Sequence, residues 1–407
     1  MMMNDSAPKK KISIEIILYM ILISFVALGN GFSDSIYSNY FKEVFDITAT
    51  QRGFIEFPRE LPGLLCAVVI ALLSSLGDLR TAFIAQIFAF IGLLALGILT
   101  PGYGFMLILL FINSMGMHLF MPLQDGIGMS LAEPDKIGNR MGQYASIRSV
   151  FSFIAGLLVF FGFRFGFFSF QTDIILVFII GAIAFACAII ASTLLIYRIK
   201  PSKSARKKVK LVFRKEYKYY YLLTTLHGVQ KQIAYVYGSW VLVDLLLKGA
   251  DTMSLLIICS SFICIFFMRY LGKWIDQLGI RKMMFVDALS FIVIYVIYGF
   301  VVWGITSDEL PSTGLSVFIV YLLFILDRLS MQIGMVKSVY LKSIAVNPEE
   351  VTSTLSTGTS LDHVVSIIAA AIGGVIWSTF GSHYVFFMAA AFSLGNLYVA
   401  FQIKDKA

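Results

Sequence analysis

Charge is scarce in this chain. Lysine, arginine, aspartate and glutamate make up 14% of the 407 residues, against roughly 25% in an ordinary soluble domain, which excludes a water-soluble globule of this length. Histidine and cysteine number four each. None stands in HExxH, CxxC or a comparable spacing, so neither a zinc motif nor a redox pair is legible. No GxxxxGK[ST] run offers a phosphate cradle. The sequence therefore predicts no enzyme, no metal and no cofactor. Cys66, Cys187, Cys259 and Cys264 all fall in apolar stretches, where a thiol behaves as a small buried hydrophobe.

What the chain has instead is apolar length. Hydrophobic residues make up 58% and the mean hydropathy is +0.85. Runs of about 20 residues, enough to cross a hydrocarbon core about 30 Å thick, recur throughout. Segments such as IILVFIIGAIAFACAIIASTLL do not alternate, which excludes an outer-membrane barrel. The start, MMMNDSAPKKK, runs into an apolar stretch too long for a signal-peptide core and without a small-residue cleavage site, so the first span is expected to be retained. Spans are expected at 14–39, 52–75, 80–100, 104–131, 140–166, 172–198, 217–246, 252–271, 282–306, 313–341, 351–379 and 384–402. The chain reads as an all-α membrane protein of twelve transmembrane helices. An N-terminal six-helix bundle (1–198) and a C-terminal one (217–407) flank a basic linker (199–216).

The net charge of +8 is read by location, because basic residues beside spans set orientation. No nucleic-acid partner is expected. Lys9, Lys10, Lys11, Arg80, Lys136, Arg140, the run RKKVKLVFRKEYK, Arg269, Lys273, Arg281, Lys282, Lys404 and Lys406 fall on one side, with only Lys42, Arg52, Arg164 and Lys248 opposite. Both termini are thus expected to be cytoplasmic, in a multi-pass protein of the cytoplasmic (inner) membrane. The central basic run serves either as a positive-inside linker or as a contact for anionic lipid.

The loop between spans 8 and 9 reads GKWIDQLGIRKMM. Its Gly272, Asp276, Gly279, Arg281 and Lys282 resemble the conformational loop motif of the major facilitator superfamily. The first-half counterpart, SSLGDLRTAF, keeps Gly77, Asp78 and Arg80 but lacks a second glycine and the basic pair, which weakens a latch role there. The resemblance implies a 6+6 fold rocking about a central site, with helices 1, 4, 7 and 10 and helices 2, 5, 8 and 11 around the cavity. It does not reach a substrate subfamily.

Charges inside spans follow the same division. Glu56, Arg59 and Glu60 fall in span 2, His118 in span 4, Arg148 in span 5, His227 and Lys231 in span 7, Asp327 and Arg328 in span 10, and Asp362 and His363 in span 11. Spans 3, 6 and 12 carry none, and Asp287 of span 9 lies near its end. Buried charge in a membrane faces a bundle interior or water. In IEFPRELPG, Glu56 and Glu60 share a helical face with Arg59 able to neutralise part of the pair, and Pro58 and Pro62 each withdraw a backbone donor. The triplet is expected in a solvated pocket. Either these charges lock helices together, Arg59 with Glu60 and Asp327 with a neighbour, or they bind substrate and carry protons.

Arg59, His118, Arg148, His227, Lys231, Tyr235 and Arg328 are the candidate substrate-binding residues, the basic groups suiting an anionic moiety. Tyr235, four residues after Lys231, is expected on its face. Glu60, Asp327, Asp362 and His363 are candidates for proton coupling, with sodium as an alternative because carboxylate and Ser360 or Thr359 oxygens also suit a hard cation. The expected activity is secondary active transport of a small polar organic solute bearing an anionic group, coupled to protons, by a monomer in contact with membrane lipid. The competing readings are a multidrug/proton efflux antiporter and a non-transporting membrane sensor or scaffold. The fifth span's GLLVFFGF has no proline, which speaks against the antiporter branch.

Overall fold

The computed structural model describes residues 13–133, 137–199, 213–347 and 350–403. Lys9, Lys10, Lys11, Lys136, Lys404, Lys406 and positions 206–212 of the basic run lie outside the described residues, as does the side chain of Arg269.

Twelve membrane helices follow in order. The first six are α1 (Ile14–Phe45), α2 (Ala49–Leu72), α3 (Asp78–Leu99), α4 (Tyr103–Leu131), α5 (Ile137–Arg164) and α6 (Leu176–Arg198). The second six are α7 (218–245), α8 and α9 within Ala250–Thr306, α10 (Leu315–Ile333, continued by Val336–Ile344), α11 (Glu350–Thr379) and α12 (Ser382–Gln402). Local chemistry sets the breaks. Ser13 caps α1 by accepting from the Ile16 amide, and Thr48 and Gln51 form a reciprocal capping box at α2, satisfying amides that the first turn leaves unpaired. Gly279, at φ 81° and ψ 163°, separates α8 from α9. A β-carbon makes that conformation costly, so glycine is required there.

Gly77 begins α3 with φ 78° and ψ 166°, matching Gly279. It is therefore the second glycine of the loop motif that survives in the first copy, correcting the sequence-based expectation that this one was lost. Counting back three residues from each glycine, Ser74 occupies the place of Asp276. The first copy lacks the acidic member, and Asp78 is a residue of the following helix.

In the N-terminal half α3 packs on α4 and α6, and α1 packs on α5 and α6. In the C-terminal half α12 packs against the 250–306 pair and α7, and α10 against the same pair. Between the halves, α2 lies along α11, and α5 lies along the 250–306 pair, where Gly156 faces Ile258 of α8. Outward residues such as Ile183, Ile190, Leu394 and Phe401 are exposed, as lipid-facing positions should be.

Ten helices among the described residues are long and apolar enough to cross a membrane by composition alone; α2 and α7 fall short. These two carry Arg52, Glu56, Arg59 and Glu60, and His227 and Lys231. Their polarity is tolerable because they line the seam between the halves rather than face lipid.

With an even number of spans, α1 begins and α12 ends on the same side. On the far side the halves are tied by Lys42 and Asp244 at 2.8 Å, Asn39 Nδ2 donating to the Lys248 carbonyl at 2.8 Å, and the hydroxyls of Thr50 and Ser378 at 2.9 Å. Arg164 and Asp251 lie 3.8 Å apart there as well.

Candidate functional site

The charges of α2 divide between two environments. Arg52 and Arg59 both reach Glu56 Oε1, at 2.6 and 2.7 Å. Glu56 and Arg52 are 2% and 1% exposed, so this part of α2 is dry rather than the solvated pocket expected from sequence. The reason is Arg52, assigned above to the far-side loop: it enters the helix and supplies a second guanidinium, and a buried carboxylate is tolerated when paired. The guanidinium of Arg59 lies over the Tyr37 ring and that of Arg52 over Phe41. Arg59 thus pairs with Glu56, not with Glu60.

Glu60, one turn on, turns to the other half. Its Oε2 lies 3.2 Å from Lys231 Nζ and 2.6 Å from His363 Nδ1, while Gln232 Nε2 donates to Oε1 at 3.2 Å. Lys231 also reaches Asp362 Oδ2 at 2.9 Å, and His227 Nδ1 lies 3.2 Å from Asp362 Oδ1. The His118 ring stands edge-on to that of His363, with centroids 5.1 Å apart. Glu60, His118, His227, Lys231, Asp362 and His363 therefore form one chain of contacts across the seam. Adjacent Asp362 and His363 serve its two ends because neighbouring positions on a helix diverge by about 100°.

A second space opens beside this cluster. A cavity of about 710 Å³ is lined by Arg148, Ser149 and Ser152 of α5, Tyr235 of α7, Ser260 and Ser261 of α8, and Arg328 of α10, among others. Its lining extends through Ala145, Met268 and Gln332 toward the side on which α1 begins and α12 ends. Arg328 stacks on Tyr235, 3.9 Å from the ring centroid, and 4.9 Å from that of Phe324. Arg148 lies 3.7 Å from Asp125. A guanidinium from each half thus borders one partly polar space.

Lys231 and Tyr235 do not share a face as a regular helix would have it. Residues 233–237 and 241–245 are π-helical, with bonds such as the Leu246 amide to the Val241 carbonyl at 3.0 Å. Wider i→i+5 turns rotate later side chains away from α-helical register. Lys231 faces Glu60, and Tyr235 faces the cavity.

Asp327 is buried (1% exposed) beside Tyr295 and Tyr298 of α9, apart from the Glu60 cluster. Gly272, Asp276, Arg281 and Lys282 lie in the α8–α9 turn and Asp78 and Arg80 at the start of α3, away from both spaces. Sequence reading overlooked Asp34, Asp125 and Lys337, though each is a charge inside an apolar span and so carried the usable signal. Asp34 is exposed although it lies within α1, as a side chain opening on an internal space would be.

Residues 19–345 match the family model described as Major Facilitator Superfamily, and the chain belongs to that superfamily. It is a multi-pass membrane transporter of some small solute, not an enzyme. The fold is shared with the nucleoside transporter NupG (TM-score 0.75, 12% identity, covering 96% of this chain and 100% of that one). It is shared too with a D-xylose-proton symporter (TM-score 0.68, 15% identity, 94% and 96% covered). A POT family transporter in complex with 5-aminolevulinic acid also superposes (TM-score 0.74, 11% identity, 94% and 95% covered). No curated protein matches the sequence.

Proposed function

We propose that this protein is a secondary active transporter of a small polar organic solute bearing an anionic group, driven by a proton gradient. The observation that carries the solute class is the cavity bordered by Arg148 and Arg328, one guanidinium from each half. A planar fork of donors suits a carboxylate or phosphate, and the serines of α5 and α8 supply further hydrogen-bonding partners. The volume suits a small organic ligand. A fold relative solved with 5-aminolevulinic acid is in keeping with an acidic solute, and one named a proton symporter with proton coupling.

Coupling is read at Glu60 and Asp362. Both carboxylates share Lys231, so separating the halves during alternating access would part Glu60 from its base and change the preference for a proton. The basic residues gathered on the side of the termini support a cytoplasmic placement of that side, onto which the cavity opens. The test is uptake into proteoliposomes across organic acids, amino acids, nucleosides and sugars, with Arg148→Ala and Arg328→Ala beside the parent chain. Anionic solutes are expected to be moved and both substitutions to impair it. An uncharged preferred solute, or unimpaired transport in both variants, overturns the reading.

A further inference from the structure

Glu60 of α2, His118 of α4 and His363 of α11 each present a ligand atom, and the three atoms lie within 4.8 Å of one another. We propose that these side chains form a binding site for a divalent transition-metal ion of the zinc or cobalt type, bridging the two halves of the protein. The site uses the cluster read above for coupling, but it does not depend on the solute or on proton coupling being correct.

The donor set is two imidazoles and one carboxylate, a combination that favours zinc, cobalt or nickel over magnesium and calcium, which take oxygen. Three protein ligands leave a position for water, as in open zinc sites. The surroundings hold the donors in place. His118 Nδ1 donates to the Ser114 carbonyl at 2.9 Å, the type of support that orients a ligating imidazole and directs its other nitrogen to the metal. Ser114 in turn donates to the Arg59 carbonyl, fixing α4 against α2. The His363 ring lies against Gly63, where any β-carbon would meet it, so the glycine makes the place for the imidazole.

Ligands from positions 60, 118 and 363 share no sequence spacing, which is why no motif betrays them. Occupancy would staple α2 and α4 to α11 and hold the arrangement closed on the far side.

The experiment is metal binding to the full chain in detergent, free of any histidine tag, by equilibrium dialysis with zinc and by visible absorption with cobalt. One saturable equivalent is expected, with cobalt ligand-field bands and no displacement by a large excess of magnesium. Loss of a ligand in His118→Ala or His363→Ala should weaken binding by at least about tenfold, whereas His383→Ala should leave it unchanged. Absence of saturable zinc binding or of cobalt bands in the parent chain overturns the proposal, even should a variant fail to fold. So does binding that persists undiminished in folded His118→Ala and His363→Ala, or that magnesium displaces.

Discussion

Glu60 and His363 stand 303 positions apart in the chain and 2.6 Å apart in space. Between them runs the seam of α2 and α11, and Lys231 of α7 closes the arrangement from the side by holding both Glu60 and Asp362. A membrane protein keeps such charges only where they satisfy one another or serve a passage.

Removing Lys231 should be the most damaging single change in the cluster. Lys231→Ala leaves two partly buried carboxylates without their shared base, and breaking a buried ion pair from one side costs about 3 kcal/mol. Thermal unfolding in detergent should show a clear fall in midpoint, partly recovered when Glu60→Gln is added. An unchanged midpoint in the single variant would mean that the cluster adds nothing to stability.

Glu60→Gln and Asp362→Asn separate the coupling step from solute binding. In vesicles with an imposed pH gradient and no sodium, one of the two should lose gradient-driven accumulation while solute exchange across the membrane persists. Accumulation that ignores the gradient, or survives in both variants, rejects the assignment.

Arg328→Lys keeps the charge but loses the planar group stacked on Tyr235. An ammonium cannot reproduce both the stacking and a two-pronged grip on an anion. The half-saturation concentration for the preferred solute should rise about tenfold, and equal kinetics for lysine and arginine would reduce position 328 to a point charge.

Gly53→Ala should loosen the far-side closure. A β-carbon at Gly53 runs into the Ala370 carbonyl of α11 and the Tyr237 hydroxyl, and backbone cannot yield as a flexible side chain does. In a background without native cysteines, a cysteine at Thr50 should then react faster with a membrane-impermeant thiol reagent. Equal rates with glycine and alanine at position 53 would show that the seam absorbs the added group.

At the linker's end, Arg214 donates to Glu350, which also accepts from Asn347 and Tyr217. The hydrogen bond from Arg214, first among these influences, holds the Glu350 carboxyl below its usual range. A depressed carboxyl stabilises the fold above its unfolded pKa and loses that contribution as pH falls through the folded one. Thermal midpoints measured down the acid range should therefore fall slightly more for the parent chain than for Glu350→Gln. The difference should shrink in high salt because the pair is exposed; parallel profiles would show that it has no effect on stability.

The number of spans, their division into two sixes and the restriction of charge to particular helices were legible in the sequence by itself. Each depends on a property carried locally by the chain: apolar length, loop charge, and the cost of placing an ion in hydrocarbon. Glu60, Lys231 and Asp362 could be picked out on that ground alone. Their partners were decided only by the tertiary structure, because hydrogen bonds and ion pairs act over a few ångströms between helices hundreds of positions apart. Arg59 turned to Glu56 once Arg52 joined the same buried face, and Tyr235 left the face of Lys231 because π-helical turns changed the register. The convergence of Glu60, His118 and His363 likewise arises from the packing of α2 and α4 against α11, for which no spacing along the chain exists to be read.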